Sequence, residues 1–506
     1  MSSSKTSPLR TILDILTKNV EILENSCKAN GTAIPDLETP FHPSSEAFRA
    51  HPEAAEASNI IVAAAHHLAA ILTPPPIALY HVVGGVSGVF LCRYGDCLSD
   101  VYNLQHFKST AVRVCLESNV TEILREAGPQ GMHVEDISKK NGVDPQKLSR
   151  FLRLLAMHHV YKEITPEVFT NTRTSSLMDT LKPSEVVLSD PEHKHDNTMG
   201  LAALMSHHLD EAFKGSAYAW EVCSDPKIAR LGDAGPDTSP FAGAVCPGQT
   251  FWQYLERPTE AFRRARFGIG MRGINDLQPP DAVLRAYDWG KLPAGSLVVD
   301  VGGGIGSVTH NIVKSNPSLK FVIQDLPAVI EDGVKWWSST MPEAISSGQV
   351  SLQVHNFFTP QPQSSKDASV FMVKQVLHDW SDQYCVKVLK QLRAAATPDT
   401  TLLVLESILP YACHDPSADD NKGVPGAVPK EAPPPLLANY GPANELGYLA
   451  DIDMFILFNS QERTIHHFDR LLASSGWKLK VVNRQPGDST FMQSMEAVPI
   501  GILSRL

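Results

Sequence analysis

The stretch Leu297-Val-Val-Asp-Val-Gly-Gly-Gly-Ile-Gly306 decides how this chain of 506 residues is read. A strand of apolar character, interrupted only by Asp300, runs into glycines at 302, 304 and 306, and a helix opens after them. A chain that turns sharply from strand to helix, while a ligand approaches its backbone, needs positions without side chains. A glycine turn of purely structural origin would look the same, so the turn alone decides little. The acids around it decide more. Asp300 directly precedes the loop, where it would repel a pyrophosphate but suit a cationic, amino-bearing ligand. Asp325 ends the next expected strand, Phe321-Val-Ile-Gln-Asp325, where a carboxylate can accept from both ribose hydroxyls. A nucleoside that lacks phosphates and carries positive charge is S-adenosylmethionine, and the turn at Gly302 and Gly304 with Asp325 predicts a site for it.

Downstream, Val350 to Val354, Val370 to Val373 and Thr401 to Leu405 extend the series begun by Leu297 to Val301 and Phe321 to Gln324. Strands alternating with helices predict an α/β fold, a Rossmann-like domain with a mostly parallel sheet over residues 291–506. Inside it, Tyr411 to Leu446 contains Pro433-Pro434-Pro435 and reads as a flexible surface insertion, 411–446. Upstream, Asp190 to Tyr287 is a string of helices with a Gly/Pro-rich loop and the aromatic cluster Phe251, Trp252 and Tyr254. It is assigned as a helical linker, 186–290, contributing to a substrate pocket.

Residues 108–185 read as helices over Ser109 to Ala127, His133 to Asn141 and Pro145 to His158, then strands at Val160 to Ile164 and Val168 to Asn171. That order is the winged-helix arrangement. Lys147, Arg150 and Arg153 on its third helix would suit DNA, or a solvated face. Residues 1–107 read as an N-terminal helical extension suited to dimerisation. It has helices at Thr11 to Cys27 and Glu53 to Leu72, and no assignable pattern over Ile77 to Val101.

Composition bounds the function. A chain with 43% hydrophobic and 20% charged residues is an ordinary soluble globular protein, long enough for two or three units. Its net charge of -11 opposes nucleic acid as the main partner and favours a scaffold role for the winged helix. No apolar run reaches membrane-spanning length; Ile60 to Leu72 is broken by His66 and His67 and followed by Pro74, Pro75 and Pro76. The start of the chain is Ser-rich and polar, without a secretory h-region. Eight cysteines form no CxxC pair, Cys92 and Cys97 being the closest, so no metal site or disulfide framework is predicted and a cytoplasmic location is expected.

A proton acceptor is expected at Val373-Lys-Gln-Val-Leu-His-Asp-Trp-Ser-Asp382. His378 there lies just past a strand, on the carboxyl side where open α/β sheets bind ligands. Methyl transfer to a phenol needs its oxygen freed of a proton, which a neutral imidazole can accept. One histidine of 19 is by itself more often structural. Glu406 after the fifth strand and Glu462 in Gln461-Glu-Arg-Thr464 strengthen the reading, since a carboxylate orients an imidazole and stabilises its cation. Each acid also has a plain reading: Glu462 as a helix-start acid, Glu406 as a surface acid at a strand end.

Over Leu297 to Pro327, Phe371 to Asp382, Leu402 to Pro410 and Asp451 to Gly476, the sequence resembles the caffeic-acid-type plant O-methyltransferases and their fungal relatives in secondary metabolism. The likeness runs from about Lys108 to the C-terminus and is most specific at Leu-His-Asp-Trp-Ser-Asp and Gln-Glu-Arg-Thr. It implies a metal-independent, homodimeric enzyme with His378 as base flanked by Glu406 and Glu462. It implies cofactor contacts from Gly302, Gly304, Asp325, Lys374 and Trp380. Phe267, Met271 and Met454 would line the acceptor pocket, although Met454 reads equally well as a packed core methionine. Where the family usually carries an acid at the adenine, this chain has Asn356 followed by Phe357, and the amide oxygen of Asn356 would accept from the adenine amine. Two rival readings stay open at the level of sequence. Enzymes of this fold also run dehydrations or pericyclic closures without transferring methyl, and a winged helix can serve a DNA-binding regulator.

Overall fold

The computed structural model describes residues 7–36, 39–40, 42–72, 105–228, 235–276, 281–418, 423–484 and 493–501. The segment Ile77 to Val101, with Cys92 and Cys97, lies outside the described residues, as do the prolines at 74–76. The chain divides into two compact units, one of residues 1–214 with 252–277, the other of 215–251 with 278–506. The helical segment before the glycine turn is thus shared between them.

In the first unit, the helix Pro8–Asn30 packs on the helix Pro52–Leu72 through Leu23, Cys27, Phe48, Ala54 and Ala57. Where one helix was expected over Ser109 to Ala127 there are two, Gln105–Glu117 and Val120–Ala127. The break falls at Asn119, whose φ of 55° is left-handed, a conformation asparagine tolerates better than most residues. Helices Val134–Asn141 and Pro145–Ala156 follow. Asp144 caps the second of these by accepting from Lys147 N at 2.9 Å. A small antiparallel sheet joins β1 (Met132–His133), β2 (Tyr161–Thr165) and β3 (Val168–Asn171) in the order β1-β3-β2. A buried ionic network ties the unit's long helices: Arg266 donates to Glu211 and Asp210, and Arg113 also reaches Asp210.

The second unit is built on a seven-stranded sheet. Its strands are β4 (Leu297–Val301), β5 (Lys320–Asp325), β6 (Val350–Val354), β7 (Val370–Lys374), β8 (Thr401–Glu406), β9 (Trp477–Asn483) and β10 (Gln493–Pro499). The order is β6-β5-β4-β7-β8-β10-β9, with β4 to β8 parallel and the last two strands antiparallel. This is a Rossmann-like architecture. Sequence reading found β4 to β8, whose runs are apolar because both faces are covered. It missed β9 and β10, although Trp477-Lys-Leu-Lys-Val-Val alternates as a half-buried strand should. Trp477 is fully buried there and donates to Leu389 O at 3.0 Å. Strand order reverses between β4 and β7, which places a crevice at their carboxyl ends.

Candidate functional site

The glycine turn follows β4 at that crevice. Gly302 and Gly306 both have left-handed φ, 69° and 81°. A Cβ on Gly306 would lie 2.4 Å from Ile323, and one on Gly302 would lie 2.9 Å from Val376. The turn therefore packs directly against the segment after β7. Gly303 has a separate reason, missed in the sequence: a Cβ there would strike the Asp300 carboxyl at 2.5 Å. Asp300 is buried and accepts from Thr309 Oγ1 at 2.5 Å, so it braces the turn from behind; burial pushes its carboxyl up to about 6. The expectation that Asp300 faces the ligand gives way to this bracing role.

Asp325, at the end of β5, accepts from Gly304 N at 2.8 Å and from Leu326 N at 2.7 Å. Burial raises its carboxyl, and the two amides partly offset that. The carboxylate is thereby fixed at the mouth of the turn. A Cβ on Gly304 would meet nothing within 4 Å, so the backbone face beside Asp325 is open. This is a fitting cradle for the ribose and amino-acid parts of a nucleoside. Lys374 ends β7 and is partly buried; desolvation brings its ammonium down to about 8, against the pull of Asp300 and Glu406. Trp380 does not stand alone: its ring is 4.8 Å from Phe358, 6.0 Å from Phe357 and 5.6 Å from Tyr384. Asn356 is exposed, and its Oδ1 accepts from Phe358 N at 3.0 Å, closing a turn on the oxygen that sequence reading gave to the adenine amine.

Past β7 the chain enters a single 3-10 turn, Leu377–Asp379. His378 Nδ1 lies 2.8 Å from Glu462 Oε1 and 3.9 Å from Glu406 Oε2, and its Nε2 lies 3.5 Å from Asp379 Oδ1. The two glutamates differ in kind. Glu406 Oε1 accepts from Val376 N at 3.0 Å and Leu377 N at 2.8 Å, so it staples the turn that bears the imidazole. Glu462 alone holds the ring itself, and Asp451 holds Glu462 by accepting its backbone N–H at 2.7 Å. The remaining oxygen of each glutamate is buried without a hydrogen bond. Burial alone would lower His378, but Glu406, Glu462 and Asp379 outweigh it and push the imidazole up to about 10. Burial likewise raises Glu406 to about 7 and Asp379 to about 6, both opposed by the histidine cation. An Nδ1–H directed at Glu462 leaves Nε2 as the ring nitrogen able to accept a proton in the neutral imidazole.

Met454 lies on the helix Leu446–Phe458, half-buried, with its carbonyl taken by Ser460 N at 3.2 Å. That helix is held by residues from the 215–251 segment. Phe251 stacks edge-on against Phe458 at 5.3 Å, and Asn459 donates to Thr238 at 3.2 Å. Phe267 and Met271 belong to the first unit, on the helix Ala261–Asp276, where Phe267 packs on Trp252 at 5.6 Å and His207 at 5.2 Å. They are therefore not among the residues the second unit brings together.

A nucleoside cradle touching the turn that carries a proton acceptor is what an S-adenosylmethionine-dependent methyltransferase asks of its fold. Residues 233–425 match the family model of the O-methyltransferase domain. The chain is 49% identical to the 4-O-methyltransferase 1 of Phanerochaete chrysosporium, over 97% of this chain and 99% of that one. It is 38% identical to an O-methyltransferase of Armillaria gallica, over 94% and 95%. Among solved structures, OxaC in complex with sinefungin and meleagrin shares the fold, with a TM-score of 0.61 at 20% identity over 96% of this chain and 99% of that one. The chain belongs to the S-adenosylmethionine-dependent O-methyltransferase family, and it is an enzyme of that class acting on a small-molecule acceptor. No helix among the described residues is long and apolar enough to cross a membrane.

Proposed function

We propose that the enzyme methylates a phenolic hydroxyl of an aromatic secondary metabolite, with His378 as the base. The observation that supports this most is the 2.8 Å pair of His378 Nδ1 and Glu462, set in a ring of carboxylates that raises the imidazole to about 10. Carboxylates that favour the imidazolium strengthen the imidazole as a proton acceptor, and a phenol, with a pKa near ~10, yields its proton to such a base readily. An aliphatic hydroxyl, with an acidity nearer that of water at ~15.7, would hold its proton against the same base. Bound at the glycine turn, S-adenosylmethionine supplies an electrophilic methyl on sulfur. Everything else falls to the chain. Gly302, Gly304 and Asp325 seat the nucleoside and its amino-acid tail, Lys374 stands beside them, and Asn356, Phe357 and Trp380 meet the adenine. Glu462 orients the ring and offsets its positive charge, while Glu406 keeps the turn in place. Met454 contacts the acceptor. Positioning is the main catalytic term.

The same proposal includes a homodimer formed through the N-terminal region, a scaffold role for the winged helix of residues 108–185, and a cytoplasmic location. The test is a screen of phenols with labelled cofactor, following S-adenosylhomocysteine release together with product mass. Methylated phenol and S-adenosylhomocysteine should appear in equal amounts; turnover of the acceptor without S-adenosylhomocysteine would overturn methyl transfer. His378→Gln should keep cofactor affinity and lose turnover by about 100-fold or more. Full activity in that variant would remove the base assignment.

A further inference from the structure

Arg463 is fully buried, and a guanidinium is held in such a place only when its donors are used. All five N–H groups find acceptors. Nε donates to Asp382 Oδ1 at 3.0 Å, one terminal nitrogen to Leu377 O at 2.8 Å and Gln461 O at 3.3 Å, the other to Trp380 O at 2.7 Å and Cys385 Sγ at 3.4 Å. Leu377 and Trp380 bracket His378, so one planar fork grips the turn on both sides of the imidazole. The backbone of the same residue reaches the third member of the site. Residue 463 bridges Ile408 in parallel, and Leu409 N donates to Arg463 O at 3.0 Å, just beyond Glu406. Ser460 Oγ adds a hydrogen bond to the carbonyl of His378 itself. Asp382 is held in turn by His467 Nε2 at 2.6 Å.

From these contacts we infer that Arg463 is the positioning residue that sets His378, Glu406 and Glu462 in register. Their three segments are far apart in sequence, and the insertion at 411–446 separates the first two from the third. Nothing in chain connectivity holds Glu462 at hydrogen-bond distance from His378. The guanidinium does so by fixing the two carbonyls of the histidine turn to the peptide next to Glu462. A lysine cannot replace it, because one ammonium cannot reach both Leu377 O and Trp380 O along with Asp382. Arg463 touches neither acceptor nor cofactor in this role; it acts through the histidine turn.

The inference rests on His378 being the base, and the experiment separates the two. Steady-state kinetics of Arg463→Lys and Arg463→Ala are measured beside His378→Gln, with S-adenosylmethionine affinity by calorimetry. An offset of about 1 Å at a reacting group lowers turnover about 100-fold. Both arginine variants should therefore lose 10- to 100-fold in kcat, with cofactor Kd within twofold of the parent. Added guanidinium should restore part of the kcat of Arg463→Ala and none of that of His378→Gln. Wild-type kcat in Arg463→Lys, or a loss seen equally in cofactor Kd and not rescued, overturns the positioning role. If His378→Gln is inactive while Arg463→Lys is normal, only the positioning role falls; if His378→Gln is active, the base itself falls. Should the arginine variants fail to fold, Asp382→Asn takes their place, since its half-exposed side chain meets the fork from one edge, with Oδ1 at 3.0 Å from both Nε and one terminal nitrogen. A several-fold fall in kcat at constant cofactor Kd supports the clamp, and unchanged kcat overturns it.

Discussion

As the proposed base, His378 must do two opposed things, hold a neutral lone pair for the acceptor and become a stable cation once it has taken the proton. The carboxylates around it favour the second. An imidazole raised to about 10 is mostly protonated at neutral pH, so the neutral base grows tenfold with each pH unit until that value is passed. The rate constant kcat/KM should rise with pH and level off near 10. Ionisation of the phenol would give a similar limb, so a variant is needed to tell them apart. Glu462→Gln keeps an oxygen to accept from Nδ1 but removes one negative charge, which moves the limb to lower pH; the phenol's own acidity is unchanged. A limb that stays in place assigns it to the acceptor. At the other end of the site, Asp325→Ala removes the carboxylate held by Gly304 and Leu326 and should weaken S-adenosylmethionine binding at least tenfold, about 1.4 kcal/mol, by calorimetry. Unaltered affinity would take Asp325 out of the cofactor site. The types and order of these residues were legible in the sequence, because strand ends and glycine spacing announce a crevice. What separates Glu406, a staple for backbone amides, from Glu462, the ring's partner, was not legible. Both follow the same chemical rule, and only distances of 3.9 Å and 2.8 Å to Nδ1 tell them apart.

At the scale of elements, the insertion between β8 and the helix Leu446–Phe458 illustrates where composition misleads. Proline-rich sequence of this kind reads as solvated and loose. Among its described residues, however, several are tied to the folded unit. Asp415 pairs with His466 at 3.2 Å, Asn439 Nδ2 donates to Tyr448 Oη at 2.7 Å, and Val482 N donates to Pro425 O at 2.9 Å. Val482 belongs to β9, the last strand of the sheet, whose outer edge would otherwise present unpaired amides. Arg484 adds bonds to the carbonyls of Gly426 and Ala427 at 2.7 and 2.6 Å. These partners are distant in sequence and carry no periodic pattern, so sequence reading had no handle on them. Gly426 is the tight point, with φ of 74° and a Cβ position only 2.0 Å from Val482 O. Gly426→Ala should cost about 1–2 kcal/mol in backbone conformation alone, before the clash is relieved. At roughly 2–4 °C per kcal/mol for a unit of this size, the melting temperature should fall by about 5 °C while cofactor affinity holds. An unchanged melting temperature would mean that the strap is not seated on β9.

At the scale of the whole molecule, the first unit poses the question of what its first helix is for. Leu9, Leu13, Leu16 and Val20 recur at spacings of four, three and four, which places them along one stripe of Pro8–Asn30. The inward residues of that helix, Ile12 and Leu23, are buried in the unit, yet Leu9, Leu13 and Val20 remain 40%, 52% and 40% exposed. A single apolar side chain on a surface is ordinary, whereas a heptad-spaced row is the seam of a helix pair. The proposed homodimer supplies the missing partner, another copy of the same stripe across a two-fold axis. Burying a leucine there contributes about 1.5–3 kcal/mol per side chain, and a twofold contact uses each position twice. Leu13→Glu with Val20→Glu would place four carboxylates in that seam, weakening association by a factor on the order of 100 or more. Light scattering behind size exclusion should show two chains per particle for the parent and one for the double variant at micromolar concentration. The helix itself should survive, since glutamate is among the better helix formers and neither position faces the unit's own core. A double variant that stays dimeric would move the interface elsewhere, and a monomeric parent would remove the homodimer from the proposal.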